Sequence, residues 1–319
     1  FEGSSDTEVL LHLYEECGES FLEKIQGMFA IALYDKRKGT LLIALDHLGK
    51  KPLFWTLHND TFVFGSELKA LRKHPASPRE ISKNALAQYL VYEYVPSPAT
   101  IYENIFKLAP GTYLTYDGKE IVHGVFGKIE STLGTYAKDF QTAKSELYTQ
   151  LDTAVQKRLV ADVPVGVFLS GGLDSSTVAY FAQQLSERQI KTFSIGFKDA
   201  SFDESVYARE VATFLGTDHH EYIVGPEDLL RVIKNIPHVL DEPMADSSII
   251  PSPILSEFTS REVKVVLGGD GADELFFGYD TFFAHKLGNV YEKVPKCIHR
   301  ALEAVVEKLP VSHTYMSLD

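Results

Sequence analysis

The feature that most constrains the fold is a regular alternation of apolar, strand-like runs and helix-like stretches through the second half of the chain. The runs Val163–Leu169, Lys191–Phe197, His220–Val224 and Val263–Leu267 are separated by segments of helical periodicity. Such alternation is typical of a parallel α/β sheet, because each parallel connection needs a crossover. The sequence therefore predicts a doubly wound α/β domain, preceded by a helix of period 3.6 that ends near Leu159.

The first 126 residues have a different pattern, in which short β-type runs are separated by turn residues. An amphipathic stretch with Asp6 or Thr7 as N-cap and Gly18 at its end predicts an opening helix. The β-type runs are Met28–Tyr34, Thr40–Leu45, Pro52–Thr56 and Thr61–Phe64, and a later helix and hairpin strand are Ile81–Tyr94 and Thr112–Tyr116. We interpret the four runs as a meander that forms one layer of antiparallel sheet. Residues 127–141 show neither helical nor strand-like periodicity, and we place there a linker between domains 1–126 and 142–319.

Charge, hydropathy and cysteine content exclude several classes of protein. The 31 basic and 44 acidic side chains give a net charge of −13, which argues against a nucleic-acid partner. No apolar run approaches the roughly 18 residues of a membrane span, so we expect no membrane partner. The two cysteines, Cys17 and Cys297, cannot form a disulfide framework or a cysteine-based zinc site. We therefore expect a reducing, cytoplasmic setting.

Chemistry is indicated where the first strand of the second half ends. The sequence SGGLDSST from Ser170 to Thr177 lies between that strand and the next helix. Glycines allow close backbone approach, hydroxyls bond phosphate oxygens, and a helix N-terminus attracts anions. Because Asp174 would repel a phosphate, a bridging divalent cation such as Mg²⁺ is implied. The motif, which is neither a Walker A loop nor a dinucleotide fingerprint, predicts a metal-bound polyphosphate site; the alternative is a glycine-rich turn with helix-capping side chains.

A second glycine-rich segment follows the strand Val263–Leu267. It reads GGDGADE from Gly268 to Glu274 and carries three carboxylates. Because the carboxyl ends of parallel strands meet at one edge of a sheet, Asp270 and Asp273 can join Asp174 around a metal. The alternative role is a capped helix start at Asp273. Two such segments in one chain favour a nucleotide site.

Together these motifs resemble those of a known family. The segment Ser170–Ser176 is similar to the pyrophosphate loop of the N-type ATP pyrophosphatases, and the ordered set of motifs resembles the glutamine-hydrolysing asparagine synthetase B family. In the first domain the resemblance rests on Ser5–Glu8, Gln26–Ala30, Asp46–Gly49, Gly65–Lys69 and Pro110–Gly111. It runs from about Ser5 to Tyr279. The chain starts at Phe1, without an initiator Met, and we expect a fragment that lacks both ends of its parent.

The resemblance implies a fold and an activity. The fold is an α+β N-terminal-nucleophile glutaminase-type sandwich (truncated), followed by an α/β parallel-sheet ATP pyrophosphatase (PP-loop) domain (truncated). The activity is that of a ligase: glutamine is hydrolysed, ATP with Mg²⁺ adenylates aspartate, and ammonia displaces AMP to give asparagine. The partners are then glutamine and aspartate or another carboxylate acceptor, and a homodimer is left open.

The resemblance also assigns roles to individual residues. The pyrophosphate loop comprises Ser170, Gly171, Gly172, Asp174, Ser175 and Ser176, and the Mg²⁺ ligands are Asp174 and Asp273. The adenosine moiety is held by Leu169 and Ile195, and ATP is also contacted by Gly268 and Gly269. Asp270 occupies the position of an acidic catalytic residue linked to formation of the acyl-adenylate, and Asp6 that of an aspartate that binds the amino group of glutamine.

Departures from the family pattern leave alternatives open. The N-terminal catalytic cysteine is missing before Phe1, and Cys17, within a predicted helix, cannot replace it; Leu45 stands where the family commonly has Arg. The chain stops before the family segment with a catalytic Lys, and residues 241–248 lack the basic residue that meets the substrate carboxylate in well-known members. The alternatives are an amidotransferase acting on a sugar acid, a β-lactam-synthetase-type AMP-forming ligase, a tRNA-modifying ATP pyrophosphatase, and a fragment that only binds nucleotide.

Overall fold

The computed structural model describes residues 1–3, 5–127, 139–198, 203–293, 295 and 299. The chain divides into two compact units, Phe1–Tyr136 with Lys234–Ser247, and Ala137–Ile233 with Ser248–Asp319. The predicted linker falls largely on residues 128–138, outside the described residues, as does Cys297. Among the described residues, no helix has both the length and the apolar character needed to cross a bilayer.

The first unit is built mainly of short antiparallel strands. These are β1 (Ala30–Asp35), β2 (Thr40–Leu45), β3 (Phe54–His58), β4 (Thr61–Gly65), β5 (Phe106–Lys107), β6 (Thr112–Tyr116) and β7 (Ile121–Val125). The helical segments are α1 (Asp6–Cys17), a 3₁₀ turn (Gly18–Glu23), α2 (Leu68–Leu71) and α3 (Lys83–Tyr92).

The prediction that the first four strands form one layer is wrong. The described strands form one antiparallel sheet of order β1-β2-β6-β7 and a second of order β4-β3-β5. Strand β2 has apolar residues on both faces: Leu42 and Ala44 pack with Phe21 of the 3₁₀ turn, while Ile43 and Leu45 pack with another cluster. A strand that is covered on both faces has a continuous apolar sequence. The run LLIAL at residues 41–45 is such a sequence, and it indicated a second layer.

The turn from β2 to β3 is organised by Asp46, whose side chain is 1% exposed. Its carboxylate accepts hydrogen bonds from the backbone N–H groups of Phe29 (3.3 Å), Leu48 (3.1 Å), Lys50 (3.1 Å) and Lys51 (3.1 Å). A buried carboxylate needs such partners to offset its lost hydration. This turn carries the chain from one sheet to the next.

Helix ends in the first unit follow local capping rules, with one correction. The N-cap of α1 is Ser5, whose hydroxyl accepts from Thr7 N, rather than Asp6 or Thr7. Gly18 ends the helix at φ +60°, as predicted, and Cys17 is its last residue. Helix α3 is shorter than predicted, since Ser82 caps its start and Glu93 ends it in the left-handed region.

The second unit contains the parallel sheet that the alternation predicts. Its strands are β8 (Val165–Phe168), β9 (Lys191–Phe197), β10 (Asp218–Val224) and β11 (Val265–Leu267), and all described pairings between them are parallel, in the order β10-β9-β8-β11. The helices are α4 (Phe140–Leu159), α5 (Leu173–Leu185), α6 (Ser205–Leu215), α7 (Pro226–Val239), α8 (Pro251–Thr259), α9 (Ala272–Phe276) and α10 (Asp280–Tyr291). Helix α4 begins at Phe140, inside the predicted linker of residues 127–141.

Helices cover both faces of this sheet. On one face, Val167 and Leu169 pack with Ala179 of α5 and Ala208 of α6 in a single buried cluster. On the other face, the buried ring of Phe193 contacts Phe258 of α8, with ring centroids 6.1 Å apart. The small side chains of Ala179 and Ala208 let these helices approach the sheet closely.

Candidate active site

Two loops leave neighbouring strands at the same edge of the parallel sheet. Loop 1, which we define as Ser170–Ser175, follows β8 and enters α5, whose N-cap is Gly172. Loop 2, Gly268–Gly271, follows β11 and enters α9, whose N-cap is Gly271 at φ +94°. Because β8 and β11 are paired and parallel, both loops lie at their carboxyl ends, where open α/β sheets bind ligands.

The glycines are required because the loops approach each other and α6 very closely. A Cβ on Gly269 would lie 2.7 Å from Ser175 N and 3.0 Å from Asp174 Cβ. Gly171 has φ +86°, and a Cβ there would lie 2.6 Å from Ala208 N of α6. Loop 2 therefore packs directly on loop 1, and a side chain at Gly269 or Gly171 has no space.

Loop 1 is held by its own hydroxyl groups. The hydroxyl oxygens of Ser170 and Ser175 are 2.9 Å apart, and Ser170 N donates to Ser175 Oγ at 3.2 Å. Gly172 N donates to Ser170 Oγ at 3.3 Å. These bonds fix the two hydroxyls beside the N-terminus of α5, a combination that can bind a phosphate group.

The two loops border a cavity of about 610 Å³. The carboxylates that line it are those of Asp174, Glu204, Asp270, Asp273 and Glu274. Among the described lining residues there is no Lys, Arg or His. The remaining lining is hydroxyl groups, glycine backbone and apolar side chains, so the cavity is strongly acidic.

The pKa values of several side chains that line the cavity are shifted from their ordinary values. Burial, and then the negative charges of Asp273 and Glu274, raise the pKa of Asp174 above the ordinary value of 3.8. Tyr279 donates a hydrogen bond of 2.7 Å to Glu274 Oε1, which lowers the pKa of Glu274 and raises that of Tyr279 to about 12. The repulsion around Asp174 is what a bound cation would relieve.

No group of three or more His, Cys, Asp or Glu side chains among the described residues is arranged to hold a metal ion alone. A divalent cation here would therefore draw part of its coordination from a ligand, as Mg²⁺ does when it is shared between one or two carboxylates and phosphate oxygens. Asp174 and Asp273 fit that arrangement, since both line the cavity and the charge of Asp273 acts on Asp174.

The structure brings most of the sequence-predicted site residues together. Those that line the cavity are Leu169, Ser170, Asp174, Ser175, Ile195, Gly268, Gly269, Asp270 and Asp273. Gly171 and Gly172 belong to loop 1 and shape it without lining the cavity. Asp6 lies in the first unit, as the exposed first residue of α1.

Ser176 does not join this set. Its side chain lines a separate apolar groove with Leu147, Tyr148 and Leu151. The physical reason is helical geometry, since each residue of α5 is rotated by about 100° from the one before. With Ser175 facing the cavity, the Ser176 side chain is rotated onto another face of the helix.

Several lining residues were not predicted from the sequence. Phe168, Ser194 and Phe197 come from β8 and β9, Glu204 and Ser205 from the start of α6, Pro251, Ser252, Leu255 and Ser256 from α8, and Tyr279 from the segment after α9. The start of α6 could have been found, because it too follows the carboxyl end of a parallel strand. Helix α8 gave no local signal, since its contribution depends on tertiary packing.

Comparisons with known proteins identify the family of the chain. The asparagine synthase family model matches residues 146–314, and the glutamine amidotransferase domain model matches residues 1–126. The chain is 36% identical to putative asparagine synthetase [glutamine-hydrolyzing] 2 of Methanocaldococcus jannaschii, over 97% of this chain and 60% of that protein. It is 34% identical to asparagine synthetase [glutamine-hydrolyzing] 1 of Bacillus subtilis, over 97% of this chain and 49% of that protein.

Asparagine synthetase B [glutamine-hydrolyzing] of Escherichia coli is 33% identical, over 99% of this chain and 52% of that protein. The chain thus spans about half to three-fifths of the length of these relatives. The asparagine synthase match covers more than half of the chain and includes both glycine-rich loops. The chain belongs to the asparagine synthase family.

Proposed function

We propose that the protein takes part in ATP-dependent amide synthesis, in which ammonia from glutamine is transferred to a carboxylate that ATP has first adenylated. The observation that carries the proposal is the meeting of loop 1 and loop 2 around one acidic cavity. Oriented N–H groups and hydroxyls lie there beside carboxylates, which is the donor set for a metal-bound triphosphate. The paired amidotransferase and asparagine synthase matches support glutamine as the ammonia source and aspartate as the acceptor.

The nucleotide is proposed to lie along the strand ends. The hydroxyls of Ser170 and Ser175 and the first N–H groups of α5 bind the phosphates. Leu169 and Ile195 present apolar surface to the adenine ring, and the backbone of Gly268 and Gly269 approaches the triphosphate without a side chain between. This arrangement binds the phosphates through backbone dipoles rather than through a lysine.

Asp174 and Asp273 would hold Mg²⁺ together with phosphate oxygens. The cation, when bound, neutralises the negative charge that develops on the leaving pyrophosphate. Burial, and then the charges of Asp273 and Glu274, raise the pKa of Asp174, and a bound cation would offset both effects. We propose both residues as the metal ligands.

The proposed reaction has two steps. An oxygen of the acceptor carboxylate attacks the α-phosphorus, and the bond to the β-phosphate oxygen breaks, so that pyrophosphate leaves with the electron pair. Ammonia then attacks the activated carbonyl carbon, AMP leaves with the electrons of the C–O bond, and nitrogen loses a proton. The α5 N-terminus stabilises the charge that builds up on the phosphates. Asp270, whose Oδ2 lies beside Gly268, is the residue we assign to the adenylation step.

A second acceptor class is favoured by one observation. Residues 241–248 contain no Lys or Arg, and no basic side chain lines the described cavity. An acceptor with a single carboxylate and several hydroxyls, such as a sugar acid, needs fewer cationic contacts than aspartate does. The family relationship still favours aspartate, and the sugar acid is the second candidate.

In the first unit we propose that Asp6 binds the amino group of glutamine. Its side chain is exposed at the start of α1, and the hydroxyls of Ser5 and Thr7 lie 3.4 Å from its Oδ1. A carboxylate so placed is free on its solvent side to accept from an ammonium group. Domain boundaries at 126 and 142, and a homodimer, remain predictions.

Nucleotide binding tests the first part of the proposal. Isothermal titration of this chain with ATP is expected to show binding with Mg²⁺ present and its loss with EDTA. Asp174→Asn should weaken Mg-ATP binding about tenfold or more, because one charged ligand of the cation is removed. Glu187→Gln, at an exposed position of the same unit, is the matched control and should bind like the parent. Binding that is indifferent to both Mg²⁺ and Asp174→Asn would refute the metal site.

Acceptor identity is tested by ATP–pyrophosphate exchange. Exchange that depends on aspartate identifies the acceptor, and exchange with a sugar acid but not aspartate identifies the second candidate. Absence of exchange with either, in a chain that binds Mg-ATP normally, would show that this part of the protein binds nucleotide without adenylating these acids.

A further inference from the structure

Four polar side chains of the second unit form a row along β9 and β10 that ends at the cavity. The hydroxyl oxygens of Thr217 and Thr192 are 2.9 Å apart, and Thr192 Oγ1 lies 2.9 Å from His219 Nδ1. The other ring nitrogen of His219, Nε2, lies 3.2 Å from the hydroxyl oxygen of Ser194. Ser194 is in turn one of the residues that line the cavity. We call these four residues the polar row.

The strand register explains why these side chains meet. Strands β9 and β10 are parallel, and His219 lies opposite Thr192. Thr192 and Ser194 are two positions apart on β9, so their side chains lie on the same face of the sheet. The imidazole of His219 therefore reaches a hydroxyl group with each of its two nitrogens.

The polar row occupies a place where apolar packing is the rule. Thr192 is fully buried and Ser194 is 4% exposed, and the residue between them, Phe193, is fully buried as well. Removing hydroxyl groups and an imidazole from water costs free energy, which their mutual hydrogen bonds offset only in part. Apolar side chains would fill the same volume without that cost. A role at the cavity, where the row ends at Ser194, accounts for keeping it polar.

His219 gives the polar row a direction. Burial lowers the pKa of His219 below its ordinary value of 6.5, so the ring is neutral at pH 7 and has one N–H donor and one acceptor nitrogen. When Nδ1–H donates to Thr192, Nε2 accepts from the hydroxyl of Ser194. The lone pairs of Ser194 Oγ then remain to accept a hydrogen bond from a ligand in the cavity.

Ser194 lies beside the residues that we propose to hold the adenine ring. Phe168 is opposite Phe193, and Leu169 N donates to Phe193 O at 2.9 Å, which brings Leu169 beside Ser194. Ile195 follows Ser194 directly and also lines the cavity. Both apolar neighbours of Ser194 thus belong to the proposed base pocket, so its hydroxyl meets the edge of the base.

The chemistry of the wall favours adenine over guanine at this edge. Among the described lining residues, the side-chain groups that form hydrogen bonds are hydroxyls and carboxylates, and there is no amide, guanidinium, ammonium or imidazole group. Such a wall is rich in acceptors. The 6-amino group of adenine donates hydrogen bonds, whereas the 6-carbonyl group of guanine accepts them.

We propose that Ser194 accepts a hydrogen bond from the 6-amino group of adenine, and that His219 is the positioning residue that holds the Ser194 hydroxyl in this orientation. Ser194 then donates to His219 Nε2, Nδ1–H donates to Thr192, and Thr192 donates to Thr217. The inference rests on the proposed function, because it takes ATP as the ligand of the cavity. It adds selection of the base, whereas loop 1 and loop 2 are proposed to bind the phosphates.

The test compares ATP with purine riboside 5′-triphosphate, which has a hydrogen atom in place of the 6-amino group, by calorimetric titration with Mg²⁺ present. We expect the parent to bind ATP about tenfold more tightly, which is the contribution of one hydrogen bond. Ser194→Ala should weaken ATP binding about tenfold and leave the analogue unaffected, so that the preference is lost. Ser145→Ala, the same change at an exposed position of α4, is the matched control and should keep the preference.

Two variants of His219 separate positioning from packing. His219→Gln places a side-chain amide near the position of Nε2, where it can still bind the Ser194 hydroxyl. His219→Asn places the amide near the position of Nδ1 and leaves Ser194 without that partner. We expect the Gln variant to keep most of the preference for ATP and the Asn variant to lose it.

Equal weakening of both nucleotides in Ser194→Ala, or an unchanged preference, overturns the proposal, because the polar row then only supports the sheet. Equal behaviour of the Gln and Asn variants overturns the role of His219. If neither of these folds, Thr192→Val removes the hydroxyl that holds Nδ1, and an unchanged preference in that variant overturns the same role. Absence of Mg-ATP binding by the parent overturns the proposed function and this inference together, whereas ATP binding without a preference over the analogue overturns this inference alone.

Discussion

A methyl group at Gly269 is the smallest change that tests whether loop 2 must rest on loop 1. In Gly269→Ala, the added Cβ would lie 2.7 Å from Ser175 N and 3.0 Å from both Asp174 C and Cβ. Ordinary contact begins at 3.4 Å, so the methyl group is about 0.7 Å too close to the backbone of loop 1. The neighbouring atoms are backbone rather than the end of a flexible side chain, and they cannot move aside without shifting the start of α5.

The size of the effect follows from the cost of overpacking. Inserting a methyl group into a closely packed site typically costs about 1–3 kcal/mol. If the strain is relieved by separation of the loops, Asp270 and Asp273 move away from Asp174. The predicted loss of Mg-ATP affinity is then about tenfold to a hundredfold, because each 1.4 kcal/mol is a factor of ten.

The assay is calorimetric titration with Mg-ATP, paired with thermal unfolding. Gly225→Ala is the matched control, because it adds the same methyl group in the same unit, where the nearest atoms are 3.8 Å away. We expect the control to bind like the parent. A Gly269→Ala protein with the parental affinity and melting temperature would show that the loops are not in obligatory contact, and the reasoning about the cavity would fail.

Two further predictions concern buried and clustered carboxylates. Asp46→Ala should destabilise the first unit by about 3–5 kcal/mol, measured by urea unfolding, because four backbone N–H groups lose their acceptor; Asp46→Asn, which keeps one acceptor oxygen, should cost less. Asp174 has a folded-state pKa above its unfolded value, so the folded nucleotide-free protein binds more protons and loses stability as pH rises from 3.8 through the raised pKa. Asp174→Asn should therefore raise the melting temperature at pH 7 but not at pH 3, and an equal effect at both pH values would contradict this.

The parallel sheet and its glycine loops could be predicted because their signals are local. Strand-like runs alternate with helical ones over short spans, and the chirality of parallel connections leaves few arrangements. Once the sheet is predicted, the rule that ligands bind at carboxyl ends of strands brings Ser170–Ser175 and Gly268–Gly271 to one edge. Neither loop sequence alone shows that the two loops touch. Their proximity can be inferred once the parallel sheet that carries both loops is predicted.

The features that were missed depend on which surfaces come together. The spacing of the strands along the sequence does not show that β3 and β4 belong to a different sheet from β1 and β2. The chain passes from one sheet to the other at the turn that Asp46 stabilises. Likewise, nothing local distinguishes Ser176 from Ser175 in SGGLDSS; the orientation of α5 against the sheet decides which hydroxyl faces the cavity. The hydrogen bond from Leu68 N to Asp241 gave no signal either, since its two partners are 173 positions apart in sequence.

The acidity of the cavity gives a physical reason why the proposed nucleotide would bind together with a metal ion. Five carboxylates and no described basic side chain line it, in a chain of net charge −13, so a free triphosphate is repelled both at a distance and on contact. A Walker A loop offsets phosphate charge with a lysine, but loop 1 offers only N–H groups, hydroxyls and a carboxylate. The positive charge must therefore arrive with the ligand. In the proposed reaction, Asp174 and Asp273 would hold a divalent cation that offsets the charge of the triphosphate, and without it the charge of Asp273 acts on Asp174 unopposed.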